Sequence, residues 1–415
     1  MEPRQLQGDL GSRRFDLDWV RIGAFLLLIL YHVGMYYVTW GWHVKSPAAS
    51  HAIEPLMMLT SPWRLSLLFL VSGVATAYLL SRTHQGFLKS RSIRLLVPLV
   101  FGMLVIVPPQ SYLEVVEKLN YPGGYLGFYR LYLTAYHGFC RGSDCLIVPT
   151  YNHLWFVAYL WIYTLALYAI VRLAPRLIPM LRRAAERWLS GLGILIVPAA
   201  YLAAARLYLS WVFPSTNMLV NDWYNHAVYL AVFLLGFTLA ATMAPWNALE
   251  RLRWHSLGLA VLGWAADCAF MSLYSHGITL SSHWAIAFMF VIYGTQQWLA
   301  IAAVLGFARR HLNRDNPARR YLTTAIFPVY ILHQTVIVVV AHALKPAQIY
   351  PPVEGLLLVL VTLATCLLGY EIVRRFKLLK PLFGLAVERR SRVLREAARP
   401  LPLTRVACGV PEDLN

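Results

Sequence analysis

Residues 19–40 read WVRIGAFLLLILYHVGMYYVTW. Apart from Arg21 and His32 the run carries no ionisable group beyond tyrosine, and at about 1.5 Å per residue it crosses a bilayer core of about 30 Å as a helix. Further apolar windows of about 20 residues begin near Pro55, Ser92, Tyr151, Trp188, Asn225, His255, Ser282, Tyr321 and Val353, the last ending near Val373. These make ten candidate spans. Of the 415 residues, 59% are apolar and 13% charged, against roughly 45–50% and 25% in a soluble domain, which excludes a soluble enzyme. A transmembrane β-barrel is excluded as well. Its strands alternate apolar and polar residues, whereas 25–30 and 336–340 are apolar throughout. The expected fold is therefore an all-α polytopic membrane protein: a segment over 1–18, a transmembrane domain over 19–373 and a basic tail over 374–415. Within the tail, 387–398 suits an amphipathic turn or two on the inner leaflet. The first window reads as a retained helix, because it is long for a signal peptide and lacks an A-x-A-like site before Trp40.

The net charge of +18 raises the possibility of nucleic-acid binding, but the distribution of the basic residues argues for another origin. With ten spans, 29 of the 37 Lys and Arg fall on one side, while Lys45, Lys118, Arg130, Arg141 and Lys345 fall on the other and Arg21, Arg64 and Arg206 lie inside spans. The positive-inside rule then places both termini in the cytoplasm. Topology and anionic lipid account for the charge, and no nucleic-acid partner is expected. The longest loop, 110–150, falls outside the cytoplasm, where Cys140 and Cys145 have an oxidising environment and Gly138 and Gly142 permit a tight turn. A disulfide there and a pair of free thiols are both open. No cysteine or histidine spacing implies a metal.

A charge at a helix centre costs roughly 2.5–3.5 kcal/mol on insertion scales, so ionisable groups inside spans are the first place to seek function. Eleven steps of about 100° bring Arg21 and His32 within about 20° of each other around the helix, and about 16 Å apart along it. Arg21 alone suits a lipid anchor, and His32 alone a core histidine bonded to a carbonyl. Together they fit a long anionic ligand lying along the helix, such as a coenzyme A thioester, with its phosphates at Arg21 and its thioester at His32. Arg91 and Arg94, three apart on one helix face, enter the third span at the same surface as Arg21.

Asp18-Trp-Val-Arg21, the following His32, Phe69-Leu-Val-Ser72-Gly73 and Arg91-Ser-Ile-Arg94 together resemble the acyltransferase 3 family of membrane acyltransferases, over the length of the chain. Trp42-His43-Val44-Lys45-Ser46, His153-Leu154-Trp155-Phe156, Val329-Tyr330-Ile331-Leu332-His333 and Tyr370-Glu371-Ile372 are most similar to its periplasmic glucan biosynthesis protein C branch. The resemblance implies a multi-pass protein of the cytoplasmic (inner) membrane that uses cytoplasmic acyl-CoA as co-substrate, with no permanently bound cofactor. It implies O-acylation, with succinyl as the group, of a periplasmic glucan or other glycan acceptor. One departure stands out. Many sugar acyltransferases of the family carry a Glu-rich stretch after a Trp in the fourth helix, where this chain reads Trp155-Phe-Val-Ala-Tyr and leaves any acid partner of His32 unassigned.

In this reading His32 is the base for the acceptor hydroxyl, and Tyr31 and Ser72 are candidate donors to the oxyanion. Arg21, Arg91 and Arg94 hold the coenzyme A phosphates. Helix depths put Arg64 and Arg206 in the same outer third as His32, where they either grip the free carboxylate of a succinyl group or pair with Asp267 or Glu54. His333 reads as core or pore-lining. Trp42, His43, His153 and Trp155 line the outer rim, as an aromatic belt or as platforms for sugar. The rival reading is an exporter of an anionic glycan or lipid-linked intermediate, against which stands the absence of an inverted repeat.

Overall fold

The computed structural model describes residues 14–82, 86–142, 144–275 and 283–386. Most of the 1–18 segment and the tail stretch 387–398 lie outside them. Helix α1 (Phe15–Tyr37) is followed by short α2 (Glu54–Thr60), α3 (Arg64–Arg82), α4 (Phe87–Phe101), α5 (Pro108–Leu119) and α6 (Tyr125–Leu133). Then come α7 (Trp155–Leu173), α8 (Leu177–Trp188), α9 (Gly193–Leu209), α10 (Trp223–Leu239), α11 (Ala244–Arg251) and α12 (Arg253–Ser275). The last elements are α13 (His283–His311), α14 (Pro317–Leu344), α15 (Pro351–Arg375) and α16 (Leu379–Leu382). Among the described residues seven helical runs are long and apolar enough to cross a membrane, or ten if three bent pairs each count as one span. The chain is a multi-pass, all-α membrane protein. The fifth window differs in detail: the chain turns by 115° between α8 and α9, so the apolar run begins at Gly193 rather than Trp188. Arginines 182, 183 and 187 explain the turn, since they keep α8 out of hydrocarbon.

The first and ninth spans form the axis of the site. Arg319 pairs with Asp18, Arg21 Nη2 donates to the Thr323 carbonyl at 2.9 Å, and His32 Nδ1 meets His333 Nε2 at 2.9 Å. Residue offsets of 301, 302 and 301 hold along the seam, so α1 and α14 run parallel in fixed register. At the start of α14 the Asn316 side chain accepts the Arg319 N–H at 2.8 Å and Pro317 takes the first turn, where its missing donor costs nothing. On the other side of the site α3 crosses α10 at backbone contact. A Cβ on Gly73 would sit 2.0 Å from the Phe233 carbonyl oxygen, and one on Gly236 2.1 Å from that of Leu70. Only glycine allows this approach, which gives the Ser72-Gly73 pair a packing reason.

The 110–150 segment, expected as a loop, is instead a small cap over the His32 end of the bundle. After α4 the Val107 N–H reaches back five residues to Gly102 O (2.8 Å), and the chain bends by 41° into α5, whose Pro108 and Pro109 occupy the first turn. Val115, Phe128, Tyr132, Phe139 and Val148 give the cap its own apolar core. The Tyr132 hydroxyl donates to Met103 O at 2.8 Å and receives the Thr150 N–H at 3.1 Å, tying the cap to the bundle. Cys140 and Cys145 are disulfide-bonded and close a two-residue antiparallel hairpin. Below the cap, the loop after α1 folds back because the Lys45 ammonium donates to the carbonyls of Met35 (2.6 Å), Val38 and Trp40 (2.9 Å), capping the helix C-terminus. That fold brings Trp42 and His43 over the bundle.

Candidate active site

Under the cap lies a cavity of about 660 Å³ lined by groups from α1, α3, α7, α13 and α14, the Trp42–His43 loop, the disulfide hairpin and the 215–218 loop. His32 enters it from α1, with the Trp42 indole nearly parallel to its ring, 13° between planes and 6.5 Å between centres. His32 Nδ1 is held by His333 Nε2, and His333 Nδ1 lies 2.6 Å from the Tyr330 carbonyl oxygen. His333 is fully buried and stands behind His32 rather than in the cavity lining. His153 lies next in the row, its ring centre 5.2 Å from that of His333. Its Nε2 donates to Ile331 O at 3.0 Å, while the Tyr330 hydroxyl donates to His153 O at 2.5 Å, so the turn before α7 is locked to α14.

The carboxylate missing from the start of α7 has a counterpart elsewhere, but it serves a different imidazole. Glu114 of α5 accepts from His43 Nδ1 at 2.5 Å, and the Gln334 amide donates to His43 Nε2 at 2.8 Å. The same amide donates to Gln110 Oε1 at 3.1 Å, and Gln110 Oε1 accepts from Asn152 at 3.3 Å. Sequence reasoning missed Gln334, Gln110 and Glu114. The signal was a second polar residue beside His333 inside an apolar helix, and a glutamine buried at the start of α5. Trp155 is no interfacial belt residue: it is 8% exposed, packed among Phe69, Tyr159 and Tyr229, with its edge at the cavity.

Arg64 lines the cavity and is 3% exposed. Its guanidinium lies over the Tyr31 ring at 3.7 Å and reaches Thr60 Oγ1 at 3.5 Å, and its Nε has no hydrogen-bond partner. Among the described residues no carboxylate pairs with it. Glu54 is occupied by the Thr39 N–H at 3.2 Å and by His51 at 3.0 Å. Arg206 is outside the lining: it stacks over Tyr293 at 4.0 Å and donates to the Tyr224 hydroxyl at 3.2 Å, with Asp267 in electrostatic reach. Tyr293 lines the cavity between the two arginines. Of the candidate oxyanion donors, Tyr31 is in the lining and Ser72 is not.

At the opposite end of α1 a recess of about 210 Å³ lies between α1 and α3, lined by Arg14, Asp18, Arg21, Tyr78 and Arg82 among others. Arg91 and Arg94 line a smaller recess of about 50 Å³ with Ser90, and Arg91 lies in electrostatic reach of Arg21. Asp18 carries the Arg319 ion pair, and Arg319 is itself 2% exposed, a buried clamp that the sequence reading passed over.

The family model described as an acyltransferase domain (Acyl_transf_3) matches residues 14–371. Proteins named "Glucans biosynthesis protein C" from Salmonella typhi and Salmonella typhimurium are each 25% identical over 380 residues, covering 90% of this chain and 94% of theirs. The protein of that name from Salmonella gallinarum is 24% identical over the same shares. No solved structure gives a significant match. A helical bundle with seven to ten candidate spans among the described residues, a polar, imidazole-lined cavity and a family match over most of its length leave one conclusion: the chain belongs to the acyltransferase 3 family of membrane acyltransferases.

Proposed function

We propose that the protein transfers a succinyl group from cytoplasmic acyl-CoA to a hydroxyl of a periplasmic glucan or other extracytoplasmic glycan, both termini lying in the cytoplasm of a cell with an inner membrane. The observation that carries the reading is the placement of two unlike cavities at the two ends of α1, arginine-lined at Arg21 and imidazole-lined at His32. A ligand with phosphates at one end and a thioester at the other matches that polarity. Arg21, Arg91 and Arg94 take the phosphates, and His32 removes the proton of the acceptor hydroxyl as its oxygen attacks the thioester carbonyl. Arg64, a buried cation that no carboxylate pairs among the described residues, suits the distal carboxylate of a succinyl group, and Arg206 supports it through Tyr293. The mouth of the cavity, with Trp42, Asn152, Thr216 and Asn217, offers a ring face and hydrogen-bonding groups to a sugar.

Purified protein in detergent, radiolabelled succinyl-CoA and a periplasmic glycan extract test the reading. Labelled glycan and free coenzyme A are expected from the parent. His32→Ala, folded, should still bind acyl-CoA and transfer on the order of 1000-fold more slowly. A parent that releases no coenzyme A but moves glycan into vesicles would replace the acyltransferase reading by the exporter.

A further inference from the structure

The contact between the two imidazoles carries chemical information beyond position. The Tyr330 carbonyl can only accept, so the His333 Nδ1 that meets it at 2.6 Å carries a proton. His333 is fully buried, no carboxylate bonds either ring among the described residues, and the Arg64 guanidinium lines the same cavity. An imidazolium there would be an uncompensated buried cation, so His333 is the neutral ring and its Nε2 presents a lone pair. That lone pair lies 2.9 Å from His32 Nδ1, which must therefore be the nitrogen of His32 that bears hydrogen. His32 Nε2 has no protein partner among the described residues, and His32 lines the cavity.

We infer that His333 is a positioning residue that holds His32 in its Nδ1–H tautomer and leaves Nε2 as the basic nitrogen facing substrate. The inference rests on His32 being the base of the proposed transfer. In that transfer the acceptor oxygen forms a bond to the thioester carbonyl carbon while its proton passes to His32 Nε2. The carbon–sulfur bond then breaks with its electron pair on sulfur, and the thiolate takes the proton from Nε2, restoring neutral His32. Throughout, the Nδ1–H of His32 points at the His333 lone pair, and His333 neither gains nor loses a proton. A carboxylate commonly plays this orienting part for a catalytic histidine. Here a second histidine, itself fixed by a backbone carbonyl one helical turn back, fills it. This accounts for the lack of an acid beside His32. Without that lone pair the neutral ring is free to place its proton on Nε2, where it cannot act as a base, and to rotate away from the cavity.

Two substitutions at one position test this. His333→Gln keeps the order of groups, since its carboxamide oxygen accepts from His32 Nδ1 and its nitrogen donates to Tyr330 O, so it should retain a tenth or more of the parent kcat. His333→Phe keeps bulk but offers no lone pair, and should lose about 100-fold in kcat with the KM for acyl-CoA within about threefold of the parent. A folded His333→Phe protein with the parent kcat overturns the inference, as does a His333→Gln protein as slow as the Phe variant. Parent-level kcat in His32→Ala would instead sink the base assignment itself, so the two failures are separable. Nitrogen NMR of histidine-labelled parent, with His32→Ala identifying the signals, needs no variant of His333 to fold. It should show a protonated Nδ1 and a bare Nε2 on His32, and the opposite tautomer refutes the inference.

Discussion

The cavities at the two ends of α1 differ in how their polar groups are held. Under the cap, imidazoles, amides and carbonyls hold one another: His32 on His333, His333 on Tyr330, His43 between Glu114 and Gln334. At the other end, arginines surround two recesses, and ion pairs of Arg319 with Asp18 and of Arg14 with Asp16 stand beside them, the first clamping α1 to α14. A preset array suits bond making, where a misplacement of about 1 Å can cost about 100-fold in rate. A cluster of cations suits capture of phosphates, where each charge contributes a graded share that salt screens. Under the proposed function, the contrast would separate a reaction end from a binding end on one helix.

The largest change in acyl choice should come at the His32 end, from Arg64, a buried charge with no counterion among the described residues. Arg64→Gln keeps length and removes charge, so a succinyl carboxylate in the cavity would be left unpaired, while an acetyl group would lose nothing comparable. The ratio of succinyl to acetyl transfer should fall by about 10- to 100-fold, a penalty of a few kcal/mol. Arg206→Gln, one ring further back, should move the ratio less. An unchanged ratio in folded Arg64→Gln would mean that the guanidinium serves the Tyr31 stack alone.

At the binding end the change should be smaller and of another kind. Arg91→Ala and Arg94→Ala should each raise the KM for acyl-CoA by about tenfold and leave kcat within about threefold, because phosphate binding is shared by ground and transition states. The parent should also lose affinity as salt rises, and each variant should lose less. Equal salt dependence in parent and variants would remove these residues from the phosphate site and erase the contrast between the ends.

How far this contrast was legible in the sequence depends on the range of the interaction that sets each part. The spans follow from one-dimensional apolar density, and Arg21 and His32 share a face because both belong to one helix. The register that sets His333 behind His32 and Arg319 on Asp18 is tertiary: it joins residues about 300 apart, and nothing local encodes it. His333 stood out as a polar residue in an apolar helix without saying which ring it would hold, and Gln334 beside it was missed. The cap was read as loop because its core of Val115, Phe128, Tyr132, Phe139 and Val148 is drawn from pieces too short to show a period. Glu114 was overlooked for the same reason. For Cys140 and Cys145, spacing and the expected side of the membrane left a disulfide and free thiols both open, and the hairpin that brings the two together decides for the bond.

The disulfide hairpin belongs to the wall of the His32 cavity, through Cys145, Leu146 and Ile147. Opening it should loosen the acceptor side without touching His32 or the arginines at the far end. The double variant Cys140→Ser, Cys145→Ser should raise the KM for glycan by about threefold and leave the KM for acyl-CoA as it was, since loss of a short cross-link mainly adds loop entropy. A rise in the acyl-CoA KM of the same size would show that the hairpin braces the whole bundle.

The smallest effect belongs to the loop that carries the binding-end clamp. Asp315, on the surface just before α14, accepts from Arg320 at 2.7 Å and from Arg319 at 2.7 Å, and these guanidiniums hold its carboxyl down at about 2. An unfolded aspartate titrates near 3.9, so the folded chain keeps the ionised form to lower pH than the unfolded chain does. The contribution to stability is therefore complete above about pH 4 and is lost as pH falls toward about 2. Thermal unfolding in detergent should show the parent losing more stability than Asp315→Asn between pH 5 and pH 3, by a small margin because water screens the site. At pH 7 the variant should unfold slightly earlier. Arg319 keeps Asp18 as its partner in the variant, so the α1–α14 register and transfer activity should persist. Identical acid profiles for parent and variant would mean that the loop carboxylate adds nothing to the clamp, and that the buried Asp18 pair carries it alone.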